Sequence, residues 1–389
     1  MRDLRLGELI EHVKRPVQVD PARTYVELGT RMHFGGLFEK PPVTGEGLGN
    51  KKVFWIEPGD LVLNIIFACG GAIAVADETA SGKIASHRFP TYRAIGESCD
   101  VRYMRLFFET PEGMRLLTVN SPGSAGSNKT LNQKALLRER VRVHDLAEQR
   151  RIVDLIAAID EDIAAADEVE ASARIAREAV LAELLEAGGE DWVETTLGEV
   201  SLVSPKEPPL PENAPFVPMD AVEVKGRWVK YTEPRGSRGG ARARSGDTLF
   251  ARITPCLENG KIGQVPANLD RVGGSTELIV LRAGPLLGPD FLFFWATAQR
   301  TRSAAEALMT GTTGRQRVSA NDLSGLRIAV PPRSGQQRIV DTISAFDEVV
   351  SGARAVAASL RQSRISLLAD LLSGGHGIPS SYERLLEAS

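Results

Sequence analysis

The sequence predicts an α+β protein: two α/β modules and two long helices, with the helices pairing as an antiparallel coiled coil around a pseudo-twofold internal repeat. Three observations predict it. First, Gln149-Arg150-Arg151-Ile152-Val153-Asp154 returns 187 positions later as Gln336-Gln337-Arg338-Ile339-Val340-Asp341. The same shift carries Asp160-Glu161 onto Asp347-Glu348, Arg177 onto Arg364 and Leu184-Leu185 onto Leu371-Leu372. A unit this long is no solenoid, whose repeats run roughly 20–50 residues. Second, an apolar stripe of helical period follows each copy of the motif. Third, strand-type stretches fall at matching places ahead of each copy.

Taken in order, residues 1–146 form the first module. Leu6-Gly7-Glu8 matches Leu197-Gly198-Glu199, and Pro58-Gly59-Asp60 matches Ser245-Gly246-Asp247. Leu61 to Phe67 is a strand stretch that pairs in pattern with Thr248 to Ile253, and Leu278-Ile279-Val280-Leu281 is a further one. Residues 147–191 carry the first long helix, from about Leu146 to Ala187. Its apolar positions include Ile152, Ile156, Ile159, Ile163, Val169, Ala173, Val180 and Leu184, stepping by threes and fours. Gly188-Gly189 stops it. Residues 192–330 form the second module. Residues 331–389 hold the second helix and a tail, with Pro331-Pro332 before the helix and Gly374-Gly375 after it. Its stripe runs Ile339, Ile343, Phe346, Val350, Ala353, Val356, Leu360, Leu367 and Leu371. Each helix of ~40 residues is ~60 Å long and needs a partner for its stripe.

Composition excludes several classes. Apolar content of 42% and charged content of 25% are ordinary for a globular protein. No apolar run suits a membrane span, and the first residues lack the apolar core of a signal peptide. Cys69, Cys99 and Cys256 are too few for a disulfide framework and too scattered for zinc. Cys69 and Cys256 sit at equivalent repeat positions and read as buried core residues. A reducing, cytoplasmic setting fits. The net charge of −3 is unevenly spread. Residues 1–146 and 192–330 each carry +3, residues 147–191 carry −9, and residues 331–389 are neutral. Both modules are therefore mildly basic, and DNA responds to the local field, not to the total. A duplicated reader on duplicated helices suits an elongated partner with two half-sites.

No site for catalysis, cofactor or metal is expected. Asp77 and Pro255 stand where the first glycine of a phosphate-binding loop would be needed before Gly82-Lys83 and Gly260-Lys261. The five histidines make no metal-ligand spacing with each other or with cysteine. No Gly-x-Ser-x-Gly elbow appears, nor an Asn/Asp-Pro-Pro-aromatic methylation motif. Asp160, Glu161 and Asp162 read as a solvated face or a docking surface for protein.

The stretch Asp247-Thr-Leu-Phe-Ala-Arg-Ile-Thr-Pro-Cys-Leu-Glu-Asn-Gly-Lys-Ile-Gly263, the paired Gln-Arg-Ile-Val helix starts and the module–helix–module–helix order resemble the specificity subunits of type I restriction–modification systems. So does Gly311-Thr312-Thr313-Gly314-Arg315-Gln316-Arg317-Val318, similar to the Gly/Thr loop near the end of such a subunit's target recognition domain. Its counterpart runs from Gly123 through Ser127-Asn128-Lys129 to Asn132. The copies differ in that Glu148 is replaced by Gly335, and Pro331-Pro332 by Val143-His144. The resemblance implies DNA recognition without catalysis. Each target recognition domain would read half of a bipartite, asymmetric site, and the helices would set the gap and hold methyltransferase subunits, two per chain. S-adenosylmethionine would bind to those subunits, and ATP with Mg to restriction subunits where present.

Three clusters are the expected DNA contacts. Pro234 to Arg244 is a glycine-rich loop holding Arg235, Arg238, Arg242 and Arg244 with no acid in it, suited to forking phosphate or guanine. The run is expected to stand without neutralising partners. The Gly/Thr loops offer Thr312, Thr313, Arg315, Gln316 and Arg317 in the second module and Ser127, Asn128 and Lys129 in the first. Lys51 and Lys52 follow Gly45-Glu46-Gly47-Leu48-Gly49 and precede the strand from Val53; the Gly spacing is no dinucleotide fingerprint, since no strand precedes it and no helix follows. Two other classes compete: a single-chain DNA methyltransferase or nuclease, and a coiled-coil adaptor that does not touch DNA.

Overall fold

A computed structural model describes residues 1–123, 129–224, 226–312 and 314–378. It divides into two compact units. Residues 1–165 with 356–389 make unit 1, and residues 166–355 make unit 2. The division cuts through both long helices, so each unit holds one module and part of each helix.

In unit 1, a four-stranded antiparallel sheet has the order Ile10–Val13, Thr91–Ala94, Leu61–Leu63, Ile73–Val75. Helices Val101–Glu109 and Pro111–Val119 belong to the same module. Leu61, Leu63, Ile73 and Tyr92 from the sheet meet Tyr103, Phe107, Phe108 and Leu117 from these helices in one core. Strand Arg2–Arg5 pairs with Arg140–Val143, which ties the start of the module to its end. The rest of the module is three two-stranded pairs, of which Val53–Ile56 with Lys83–Ser86 is the longest.

Unit 2 repeats the plan. Its antiparallel sheet runs Ser201–Val203, Leu278–Ala283, Thr248–Ala251, Ile262–Gln264, the same order at equivalent positions. Helices Pro289–Thr297 and Gln299–Ala307 take the places of the earlier pair, and Val193–Thr196 pairs with Arg327–Val330. A second, mixed sheet runs Glu233–Pro234, Pro215–Val217, Arg271–Gly274, Ala241–Arg244. Gly240 enters its last strand at φ 129°, where a Cβ would stand 2.0 Å from the Gly274 carbonyl oxygen. Only glycine fits there.

The long helices are Leu146–Glu186 and Arg333–Ser373, 41 residues each. Gly188 and Gly374 follow them in the left-handed conformation, at φ 62° and 77°. In unit 1, Ile152, Val153 and Ile156 pack in one core with Leu368, Leu371, Leu372 and the module. In unit 2, Leu181 shares a core with Ile339, Val340 and Ile343. The pairing is antiparallel. In unit 2, Arg177 meets Asp347 while Glu170 meets Arg354. In unit 1, Arg364 meets Asp160 while the Ile378 amide meets Glu148.

Several expectations change. Val169 and Val356 were placed in the stripes but are 49% and 52% exposed. Glu170 turns inward to Arg174 and Arg354 beside the first, and Ala357 takes the buried place beside the second. Asp160 is not merely part of a solvated face, because it is an interhelical partner of Arg364. Cys69 and Cys256 are half-buried rather than buried. Gly45–Leu48 is a helical turn capped by Thr44, and the two-residue strand Val43–Thr44 precedes it. A hydroxyl at the N-cap closes the turn that glycine content alone did not reveal.

Candidate nucleic-acid interface

Each module presents the same docking edge. In module 1, Leu131 N donates to Ile65 O at 2.8 Å, and Ile65 N donates to Arg88 O at 3.0 Å. In module 2, Val318 N donates to Arg252 O at 3.0 Å. Leu131 and Val318 are repeat equivalents, as are Ile65 and Arg252. Leu131 and Val318, at the end of each Gly/Thr segment, therefore seat on the same strand end.

In module 2 that segment is a hairpin, Thr310–Thr312 with Arg315–Arg317. Thr254 fixes it, with its amide on Gln316 O at 3.1 Å and its hydroxyl accepting from Gln316 N. Arg317 holds Glu277 in a two-pronged pair at 2.7 and 2.9 Å. That hydrogen bonding keeps the Glu277 carboxyl below its ordinary value and Arg317 above its own. Thr312 and Arg315 are exposed, and Arg315 makes no ion pair among the described residues. Thr313, Ser127 and Asn128 lie outside the described residues.

The arginine run is more neutralised than its sequence suggests, and only part of it is a loop. Arg238 pairs with Glu233 at 2.9 Å and lies 4.1 Å from the Phe216 ring centroid. Arg242 and Arg244 lie on the strand Ala241–Arg244. Arg242 donates to the Glu207 carbonyl, and Arg244 pairs with the Glu207 carboxylate at 2.8 Å. Glu207 is distant in sequence and 8% exposed. Burial pulls its carboxyl up, but hydrogen bonds from Arg244 and Arg282 outweigh this and hold it below its ordinary value. Among the described residues, Arg235 donates only to carbonyls, of Leu210 and Gly236. The run and the hairpin approach each other through Gly274–Glu277, since Ala241 pairs with Gly274 and Glu277 grips Arg317.

In module 1, Lys51 is tied to Glu27 at 2.5 Å, whereas Lys52 is exposed and unpaired among the described residues. The Val53–Ile56 and Lys83–Ser86 pairing sets His87 N on Lys52 O at 3.3 Å. His87 and Arg88 are exposed and neighbour Lys52. Lys129 is half-buried, two residues before the docked Leu131. No local motif marks His87 and Arg88 as candidate contacts. The register of a strand pair gathers them.

The shared Gly-Asp turn is structural. Asp60 and Asp247 are buried, and each receives an arginine from the neighbouring strand, Arg93 at 2.7 Å and Arg282 at 2.8 Å. Among the described residues, no group of three or more His, Cys, Asp or Glu could hold a metal ion. No described helix is long and apolar enough to cross a membrane.

No protein-family model matches the chain. Over 163 residues it is 31% identical to the specificity subunit of the type I restriction enzyme EcoEI of Escherichia coli, a stretch covering 40% of this chain and 27% of that protein. Over 157 residues it is 27% identical to the EcoAI specificity subunit, covering 38% and 27%. The matched stretch thus spans 27% of either relative's length. A structure from work on complex assembly and conformational transition of the type I restriction–modification system superposes with TM-score 0.62 at 20% identity, covering 95% of this chain and 97% of that one. The type I system S subunit from M. genitalium gives TM-score 0.56 at 12% identity, with 95% of each covered. The fold is therefore the two-module, two-helix fold that the sequence predicts. It is the fold of type I specificity subunits, and the resemblance read from the sequence motifs falls on the same proteins.

Proposed function

We propose that the chain is the DNA-reading, non-catalytic specificity subunit of a type I restriction–modification complex. Each module reads one half of a bipartite site, and the paired helices hold methyltransferase subunits, two per chain. The observation that carries this is the duplicated docking edge. Leu131 on Ile65 and Val318 on Arg252 make the same backbone bond at equivalent positions in both modules, each with an exposed cation nearby in sequence or bonding, Arg88 or Arg315. Two like readers in one chain match a target with two half-sites. Direct readout then lies with side chains that reach base edges, and the surrounding cations set register on the phosphates.

On this reading the chain itself carries no cofactor. S-adenosylmethionine belongs to the methyltransferase subunits, ATP with Mg to restriction subunits, and the assembly works in the cytoplasm. The test is a swap of residues 192–330 for the second module of another specificity subunit, followed by methylome sequencing of cells that also carry the cognate methyltransferase. One half of the methylated motif should change and the other should stay. A change in both halves, or methylation by the chain alone, would overturn the reading.

A further inference from the structure

Unit 2 holds an open cleft of about 970 Å3 that DNA reading leaves unused. Its wall includes the first turn of the helix Gln299–Ala307. That helix has Ala298 at its N-cap, no side-chain cap and no acid in its first turn. The amides of Gln299, Arg300 and Thr301 donate to no backbone carbonyl, and the first such bond runs from Arg302 N to Ala298 O at 3.0 Å. The counterpart helix in unit 1, Pro111–Val119, is closed instead. Thr110 caps Gly113, proline takes the first turn, and Glu112 follows.

A second feature of the cavity also calls for a ligand. Thr301 lines it, is only 6% exposed, and its hydroxyl has no hydrogen-bond partner among the described residues. The hydroxyl oxygen is not one of the fully buried unpaired atoms, so it opens to the cavity and can donate to a ligand oxygen there. Arg300 and Arg302 bring charge to the same turn. Among the described residues, Arg300 pairs with Glu186 at 3.8 Å, and Arg302 donates to the neutral Gln299 amide and makes no ion pair. Free amides, the positive helix end, a hydroxyl and two guanidinium groups make an anion site suited to phosphate.

Trp228 lines the same cavity and is 48% exposed. The Arg227 guanidinium lies 4.4 Å from its ring centroid. A half-bare indole held in place offers a stacking surface for a planar base. The carboxylates of Glu178 and Glu348, also in the wall, accept hydrogen bonds from sugar hydroxyls. We propose that this cavity binds a nucleoside phosphate, with the phosphate on Gln299–Arg302 and the base against Trp228. Its volume lies within the roughly 300–1,000 Å3 of small-molecule sites. A duplex offers phosphate too, but it keeps its bases stacked away from such a pocket.

The proposal does not rest on the DNA reading, and its test contains no DNA. ATP, AMP, adenosine and inorganic pyrophosphate are titrated calorimetrically into the purified full chain. ATP and AMP should saturate one site, with adenosine at least about tenfold weaker than AMP, the scale of a helix-terminus charge effect. Arg300→Glu should weaken ATP and pyrophosphate by about tenfold while leaving the melting temperature in place, since an acid suits a helix N-terminus. Trp228→Leu should abolish the preference for ATP over pyrophosphate. Absence of saturable ATP binding, equal affinity for adenosine and AMP, or ATP binding indifferent to Arg300→Glu would overturn it. A failed module swap with ATP binding intact would overturn the DNA reading alone.

Discussion

Arg177 Nε donates to Asp347 Oδ1 at 2.6 Å, and Arg364 Nε donates to Asp160 Oδ1 at 2.5 Å. Arg364 is the repeat mate of Arg177, and Asp347 that of Asp160. Each helix therefore supplies the arginine of one pair and the carboxylate of the other. The repeat encodes its own antiparallel partner.

These two pairs should respond differently to the same change. Arg364 also holds Glu109 at 2.6 Å, so it keeps a carboxylate when Asp160 is removed. Arg177 retains only the Phe294 ring, 5.4 Å from its guanidinium. Asp347→Asn should cost about 1–2 kcal/mol and Asp160→Asn less than about 1 kcal/mol. Urea unfolding of both variants measures it, and a larger loss for Asp160→Asn would contradict the assignment.

The repeated glutamines are latches. Gln149 accepts from Asp100 N at 2.9 Å and donates to His144 O at 2.8 Å. Gln336 accepts from Gly288 N at 2.7 Å and donates to the carbonyls of Leu286 and Pro331. Both are buried and satisfy backbone groups at the start of a module helix. Gln336→Leu should destabilise by about 2–3 kcal/mol, whereas the exposed Gln337→Leu should stay within about 0.5 kcal/mol. Thermal melts of the two variants side by side decide this.

Free and engaged cations should separate in DNA titrations. Removing Arg315, Lys52 or Arg88, each exposed and unpaired among the described residues, should shallow the log–log salt slope by roughly 1. Arg244→Ala should change the slope less, because Glu207 already neutralises that side chain. Affinity of the assembled complex measured across a salt series would show the order, and equal slopes for Arg315→Ala and wild type would remove Arg315 from the interface.

Glu207 gives a pH signature. Its carboxyl is depressed in the folded state, so the unfolded chain binds its proton first. The contribution is fully present above the unfolded value of about 4.3 and is lost as pH falls through the folded one. Wild type should melt higher than Glu207→Gln near neutral pH, and the gap should close on acidification below about pH 4. A gap that persists at low pH would assign the stabilisation to packing.

The helices, their glycine stops and the equivalence of the two modules are legible in the sequence because each rests on local rules. Periodicity of three to four residues, a left-handed cap at Gly188 and Gly374, and a shift of 187 positions need no knowledge of distant contacts. The arginine run illustrates what is not legible. Its charge density is visible, and so is the adjacent Glu233 that pairs with Arg238, but Glu207 neutralises Arg244 across a fold that no spacing rule reveals.

What the sequence determined by itself is the repeat, the helix ends and the kind of fold, since backbone propensity and apolar period act within a few residues. Tertiary structure alone decided which cations stay free, where the stripes turn away at Val169 and Val356, and that His87 bonds the backbone of Lys52. Those outcomes depend on strand register and on which carboxylate lies within reach, and Coulomb attraction and packing act through space rather than along the chain.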